Sequence, residues 1–125
     1  MSISSYLFGV AGVIAGVLKW QTITAGQTAV VNNGYIAISP GGALAIALPA
    51  ASNVGDQFAV YLDGATSWQI TQAAGQQIRI NNQQTTSGTG GSLNSTNQGN
   101  GVVLICDVAN THWFVQDFVG SITVV

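Results

Sequence analysis

Val102-Val-Leu-Ile-Cys-Asp-Val-Ala109 and His112-Trp-Phe-Val-Gln-Asp-Phe-Val119, joined by Asn110-Thr111, are two apolar, β-branched and aromatic runs around a short polar turn. That composition favours extended strands, and the turn predicts that they pair as a hairpin. With Ala109 opposite His112, one face presents Val108, Cys106, Leu104 and Val102 beside Trp113, Val115, Asp117 and Val119. The other presents Ala109, Asp107, Ile105 and Val103 beside His112, Phe114, Gln116 and Phe118. Both faces are largely apolar, whereas an antiparallel sheet with one wet face alternates cleanly. The expectation is a sheet covered twice, once by its own core and once by a neighbour. Phe114 and Phe118 are candidate interface residues.

Upstream, the same signals repeat. Thr28-Ala-Val-Val31 and Tyr35-Ile-Ala-Ile38 flank Asn32-Asn33-Gly34, and an Asn-Gly step between β-formers predicts a second hairpin. Ser39-Pro40-Gly41-Gly42 reads as a turn, and the run from Ala43 to Leu48 as a strand closed by Pro49. Asn53 to Asp56 turns into a strand from Gln57 to Leu62, and Asp63-Gly64 turns out of it. Trp68 to Thr71 and Gln77 to Ile80 lie on either side of Ala74-Gly75, and Ser121 to Val125 adds a final extended segment. About eight or nine short strands result, which predicts an all-β fold: an antiparallel β-sandwich or jelly-roll-like domain over residues 20–125. Between Asn81 and Gly101 no periodicity survives, and Leu93 is the only large apolar residue. Such a stretch is either a loose surface loop or one ordered by a neighbouring molecule, with Leu93 as a candidate interface contact.

Composition narrows the function classes. The 125 residues suffice for one core. Charged residues are 5% of the chain, against about 25% in ordinary soluble domains. They are Lys19, Arg79, Asp56, Asp63, Asp107 and Asp117. Two basic residues and a net charge of -2 leave no footprint for nucleic-acid phosphates. A hydrophobic content of 47% argues against general disorder. The single cysteine excludes a disulfide framework within the chain. An uncharged surface provides little repulsion between copies, so the expected partner is the chain itself.

Residues 1–19 form a separate apolar segment. Leu7, Val10, Ile14, Val17 and Leu18 fall at helical spacing, and Gly9, Gly12 and Gly16 occupy much of the remaining surface. No basic residue precedes the run and no small-x-small site follows it, unlike a signal peptide. A helix from Tyr6 to Leu18 reaches about 20 Å, short of a bilayer's ~30 Å hydrocarbon core. The segment is a candidate attachment element. It folds back on its own domain or docks on a neighbour, with membrane contact as a third possibility.

Catalytic chemistry is hard to assemble from this sequence. Cys106 and His112 are separated by about 10 Å in the hairpin register, beyond hydrogen-bond reach. Cys106 reads as a small buried hydrophobe and His112 as a polar group at the hairpin end. Asp56 and Asp63 adjoin turn glycines, where Asx-turn hydrogen bonding accounts for them. No His, Cys, Asp or Glu spacing matches a metal site, and Gly88-Thr-Gly90-Gly91 lacks the lysine of a phosphate loop. No catalytic residue, metal or cofactor is expected. Trp20, Trp68 and Trp113 are candidate stacking platforms for a glycan, with core packing as the alternative for the last two.

A family resemblance rests on Asn33-Gly34-Tyr35-Ile36, Leu48-Pro49, Val54-Gly55-Asp56, Trp68-Gln-Ile-Thr-Gln72 and Ala74-Gly75-Gln76. It continues through Thr85-Thr-Ser-Gly-Thr-Gly-Gly-Ser-Leu93, Ser95-Thr96, Val103-Leu-Ile-Cys106, Ala109-Asn-Thr-His-Trp113 and Gly120-Ser-Ile-Thr-Val124. In this order the pieces resemble a β-rich module of bacteriophage fibre and decoration proteins and of related bacterial, including cyanobacterial, proteins. The resemblance implies a trimeric, non-catalytic module of the virion that contacts copies of itself and other capsid or tail proteins. The alternatives are a glycan-binding receptor module and a bacterial surface or filament subunit.

Overall fold

The computed structural model describes residues 17–38 and 42–125. Leu7, Val10 and Ile14 of the apolar segment lie outside the described residues, as do Ser39, Pro40 and Gly41. Val17 is exposed and Leu18 half-buried. Among the described residues there is no helix. Twelve strands follow one another: β1 Lys19–Ile23, β2 Gln27–Thr28, β3 Asn33–Ala37, β4 Ala43–Ala47, β5 Gln57–Leu62 and β6 Ser67–Thr71, then β7 Gln77–Ile80, β8 Gln83–Gln84, β9 Ser92–Ser95, β10 Gly101–Val108, β11 His112–Val119 and β12 Thr123–Val124. They form two sheets, of order β1-β3-β5-β10-β11-β7-β8 and β12-β9-β6-β4-β2. The all-β sandwich expected from the sequence is the observed architecture.

The pairing inside the sandwich is mixed. From β1 to β6 the chain alternates between the sheets, so each strand returns beside its predecessor-but-one in the same direction. β1, β3 and β5 are therefore parallel, as are β2, β4 and β6. Parallel neighbours need a crossover, and here a strand of the opposite sheet provides it. The second half adds antiparallel partners, β10 and β11 in one sheet and β9 and β12 in the other. Period-2 patterning is the same for parallel and antiparallel strands, so it identifies strands without their directions.

This corrects the hairpin expected at Asn32-Asn33-Gly34. Asn32 does adopt a positive φ of 66°. The turn, however, carries the chain from one sheet to the other, and β3 pairs with β1 and β5 instead of β2. The Asn33 side-chain amide donates to the carbonyls of Val30 and Val31, and the Tyr35 hydroxyl accepts from the Val30 N–H at 2.7 Å. These bonds hold the corner over a buried tyrosine.

The core lies between the sheets. Tyr35, Phe58, Leu104 and Trp113 face it from the larger sheet, and Ile46, Trp68, Ile70 and Leu93 from the smaller. Trp113 packs its ring against Phe58 edge-on, with centroids 5.2 Å apart. The Trp68 indole donates to the Asn100 carbonyl at 3.2 Å. Trp68 and Trp113 are fully buried, so neither is a glycan platform.

The stretch from Asn81 to Gly101 is ordered within the single chain, which corrects the expectation that a neighbour orders it. Leu93 is fully buried on β9, between Ile70 and Val124 of the flanking strands, and is a core residue instead of an interface contact. Full burial of such a side chain contributes about 1.5–3 kcal/mol. A polar network adds the rest. The buried Gln72 amide nitrogen donates to the carbonyls of Gln76, Thr86 and Gly88 at 2.9, 3.0 and 2.9 Å. Its carbonyl accepts from the Thr85 hydroxyl, which in turn accepts from the Ile78 N–H at 2.9 Å. From the other side, Val125 exchanges backbone hydrogen bonds with Ser92 and accepts from Thr86. Amide hydrogen bonds thus do here what apolar burial does elsewhere.

Candidate assembly face

The hairpin of β10 and β11 is present, with two irregularities. Cys106 is opposite Trp113 but Val108 is opposite His112, so Asp107 is an extra residue, and the chain turns through Ala109 to Thr111, where Asn110 takes a φ of 66°. A second shift follows Leu104, which lies opposite Val115, while Val103 lies opposite Asp117. Gln116 is therefore an extra residue, a bulge that re-aims everything after it. Asp117 and Phe118 exchange faces relative to a regular hairpin. Asp117 stands on the outer face with Val103, and Phe118 stands with Val102 toward the core side, where it remains partly exposed. Phe114 keeps its expected outer position and is half-buried.

Registers across the larger sheet line up the outer face in rows. Trp20, Gly34, Ala59, Val103 and Asp117 are side by side on β1, β3, β5, β10 and β11. The adjacent row is Thr22, Ile36, Tyr61, Gly101 and Val119. On the opposite side of the first row lie Gln57, Ile105, Phe114, Arg79 and Gln84. Large apolar groups dominate the face. Trp20, Tyr61 and Val119 retain 50%, 39% and 62% of their accessible surface. Trp20 is thus the one candidate stacking tryptophan that is exposed, and its ring lies on Gly34, where a Cβ would fall inside the indole. Glycine is required at that point to let the ring lie flat on the sheet. Between Trp20, Tyr61, Val119 and Asp117 lies a depression of about 140 Å³, floored by Ala59 and Gly101. That is below the roughly 300–1,000 Å³ of small-molecule sites and suits one inserted side chain.

The outer face of the smaller sheet has the opposite character. Its rows are Ala43 and Ser67; Ala45, Gln69, Asn94 and Thr123; and Ala47, Thr71 and Ser92. Every side chain is small or an uncharged polar group. A cleft of about 520 Å³ over this sheet is lined by Gln69, Thr71, Asn94 and Thr123 and has no aromatic wall. A second polar cleft of about 340 Å³, with Asn81, Asn82, Gln83 and Ser121, is bordered by Phe118.

The reactive groups do not converge. Cys106 is buried on the core face, 3.3 Å from the Ser52 hydroxyl, while His112 is on the outer face. His112 is held by Asp107 at 2.6 Å on Nδ1 and by Gln84 at 3.1 Å on Nε2, tying the hairpin end to β8. Asp56 accepts from the Asn53 N–H at 2.8 Å, closing its turn back onto the residue three before it instead of forming the Asx turn expected of it. At Asp63-Gly64 the turn is tied differently, by Gln98, whose amide bonds Gly64 and Ala65. Among the described residues no three His, Cys, Asp or Glu side chains gather as a metal site would require.

The bulge was the feature missed from the sequence, and a signal for it existed. A regular hairpin places Asp117 among Trp113, Val115 and Val119 on the core face, and an unpaired carboxylate there costs too much to bury. An ionic residue at a core position is the mark of a register shift. No family model matches the chain, and no curated protein matches it.

Proposed function

We propose that this protein is a non-catalytic structural subunit of a bacteriophage particle, of the decoration or tail-associated kind, that assembles with copies of itself. The observation that carries the reading is the contrast between the two outer faces. One is broad, aromatic and aliphatic; the other is small, polar and uncharged. Contiguous exposed apolar surface on a soluble protein marks an interaction site. The scarcity of charge supports association further, because few desolvated ions oppose it. The virion assignment and three-fold assembly rest on the resemblance of the sequence to phage fibre and decoration modules. The glycan-binding alternative loses two of its three tryptophans to the core.

Sedimentation equilibrium of the full chain at micromolar concentration tests the assembly. A multimer that Tyr61→Asp or Val119→Asp dissociates, with the β circular dichroism signal retained, is the expected result. A stable wild-type monomer overturns it. The virion role is tested by protein mass spectrometry on purified particles from the host that carries the gene.

A further inference from the structure

Among the described residues nothing covers the apolar outer face of the larger sheet, where the depression beside Trp20 has room for one inserted side chain. The sequence holds one further strongly apolar element, residues 1–18, which contain no Asp, Glu, Lys, Arg or His. The direction of β1 relates the two. This strand enters the sheet at Lys19, level with Asn33, Phe58 and Leu104, and runs to Thr22, level with Tyr61 and Val119. It therefore travels toward the depression, and the chain before Lys19 approaches from the opposite end, on the side of the β10–β11 turn. β1 is also the edge of its sheet. Val17 keeps 63% of its accessible surface, so the described end of the apolar stretch is not folded back onto the sandwich.

We propose that the stretch from Leu7 to Leu18 of one copy lies on the outer face of the next copy, with one of its aliphatic side chains in the depression. The inference rests on the assembly reading above and names what covers its face. Leu7, Val10, Ile14 and Leu18 fall at helical spacing and present one apolar stripe. Their chemistry matches that of Trp20, Tyr61 and Val119. Width matters as well. A slender segment covers those three side chains and leaves exposed Asp117 and Arg79 in water beside it. A second sheet face laid flat on this one would desolvate both charges. Each copy gives one segment and receives one, which is a heterologous contact. Repeated about an axis, such a contact closes as a ring, and three copies give the three-fold assembly.

The experiment uses the full chain, read by sedimentation equilibrium and by disulfide trapping. Val10→Asp and Ile14→Asp each set a carboxylate in the contact, and each raises the dissociation constant of the trimer by at least about tenfold, with the β circular dichroism signal retained. Chains carrying Ile14→Cys or Val10→Cys, mixed with chains carrying Val119→Cys under mild oxidation, form a mixed disulfide. The same chains mixed with Ala45→Cys, on the exposed face of the other sheet, form none. Cys106 is buried and stays out of the exchange. A multimer that Val119→Asp dissociates while Val10→Asp and Ile14→Asp leave it intact overturns this inference and leaves the assembly reading standing. A double variant of Ile14→Cys and Val119→Cys that closes its disulfide within one chain, while the mixed single variants form none, puts the segment on its own copy and overturns the exchange. A wild-type dimer overturns the ring. A wild-type monomer, or a mass that Val119→Asp leaves unchanged, removes the assembly reading and this inference with it.

Discussion

Gln72→Met removes the side-chain amide that ties residues 85–91 to the sandwich while nearly preserving its volume. In the folded chain this amide donates to three backbone carbonyls and accepts from the Thr85 hydroxyl. An NH2 group has two hydrogens, so two of the three donor contacts count as full bonds and the third shares a hydrogen. The substitution therefore loses about three hydrogen bonds, each contributing about 0.5–1.5 kcal/mol, and strands carbonyls that are only partly reachable by water. The expected loss is about 3 kcal/mol, which on the usual scale removes a large fraction of a small domain's stability. Urea unfolding at fixed protein concentration, with an unchanged m-value, measures it. Hydrogen exchange localises it: amides of Thr86, Gly88 and Gly91 lose protection while those of β10 and β11 keep theirs. Thr85→Val completes a double-mutant cycle and couples to Gln72→Met by at least about 0.5 kcal/mol. A loss below about 1 kcal/mol, or exchange rising evenly through the molecule, would refute the account of how this stretch is ordered.

Three further outcomes follow from the packing. Leu93→Ala lowers stability by about 2–5 kcal/mol through the cavity it leaves, without changing the mass of the folded assembly; a shifted mass with unchanged stability would return Leu93 to the interface. Gly120→Ala combines a φ of 87° with a Cβ that collides with the Asn100 amide, and lowers the thermal midpoint far more than Gly75→Ala, whose φ of 81° opens on empty space; equal effects would contradict this. Ala45→Lys on the small polar face leaves assembly unchanged in sedimentation equilibrium, and a dissociated Ala45→Lys would show that both faces are interfaces.

Composition and periodicity were sufficient for the fold class. Short β-forming runs between Gly, Asn and Pro, with no helical period among them, bury their apolar alternation between facing sheets or inside a closed one. The apolar second face of the β10–β11 hairpin was equally legible, because Ile105, Phe114 and Val103 alternate against core residues of the same strands. The core role of Cys106 and the hairpin-end position of His112 also followed from local sequence.

Strand direction, register and the order of residues 81–101 came only from the tertiary structure. Asn32 accepts a positive φ in a hairpin and in a sheet-to-sheet corner alike, so local turn chemistry leaves the partner of β3 open. The placement of Asp117 depends on one extra residue at Gln116, which shifts a side chain by a whole face because the strand period is two. Leu93 is a single apolar residue in a polar stretch. Its burial depends on β6 and β12 flanking it, and both lie more than a dozen residues away in the chain. Sequence determines which side chains avoid water; long-range packing decides which of them meet.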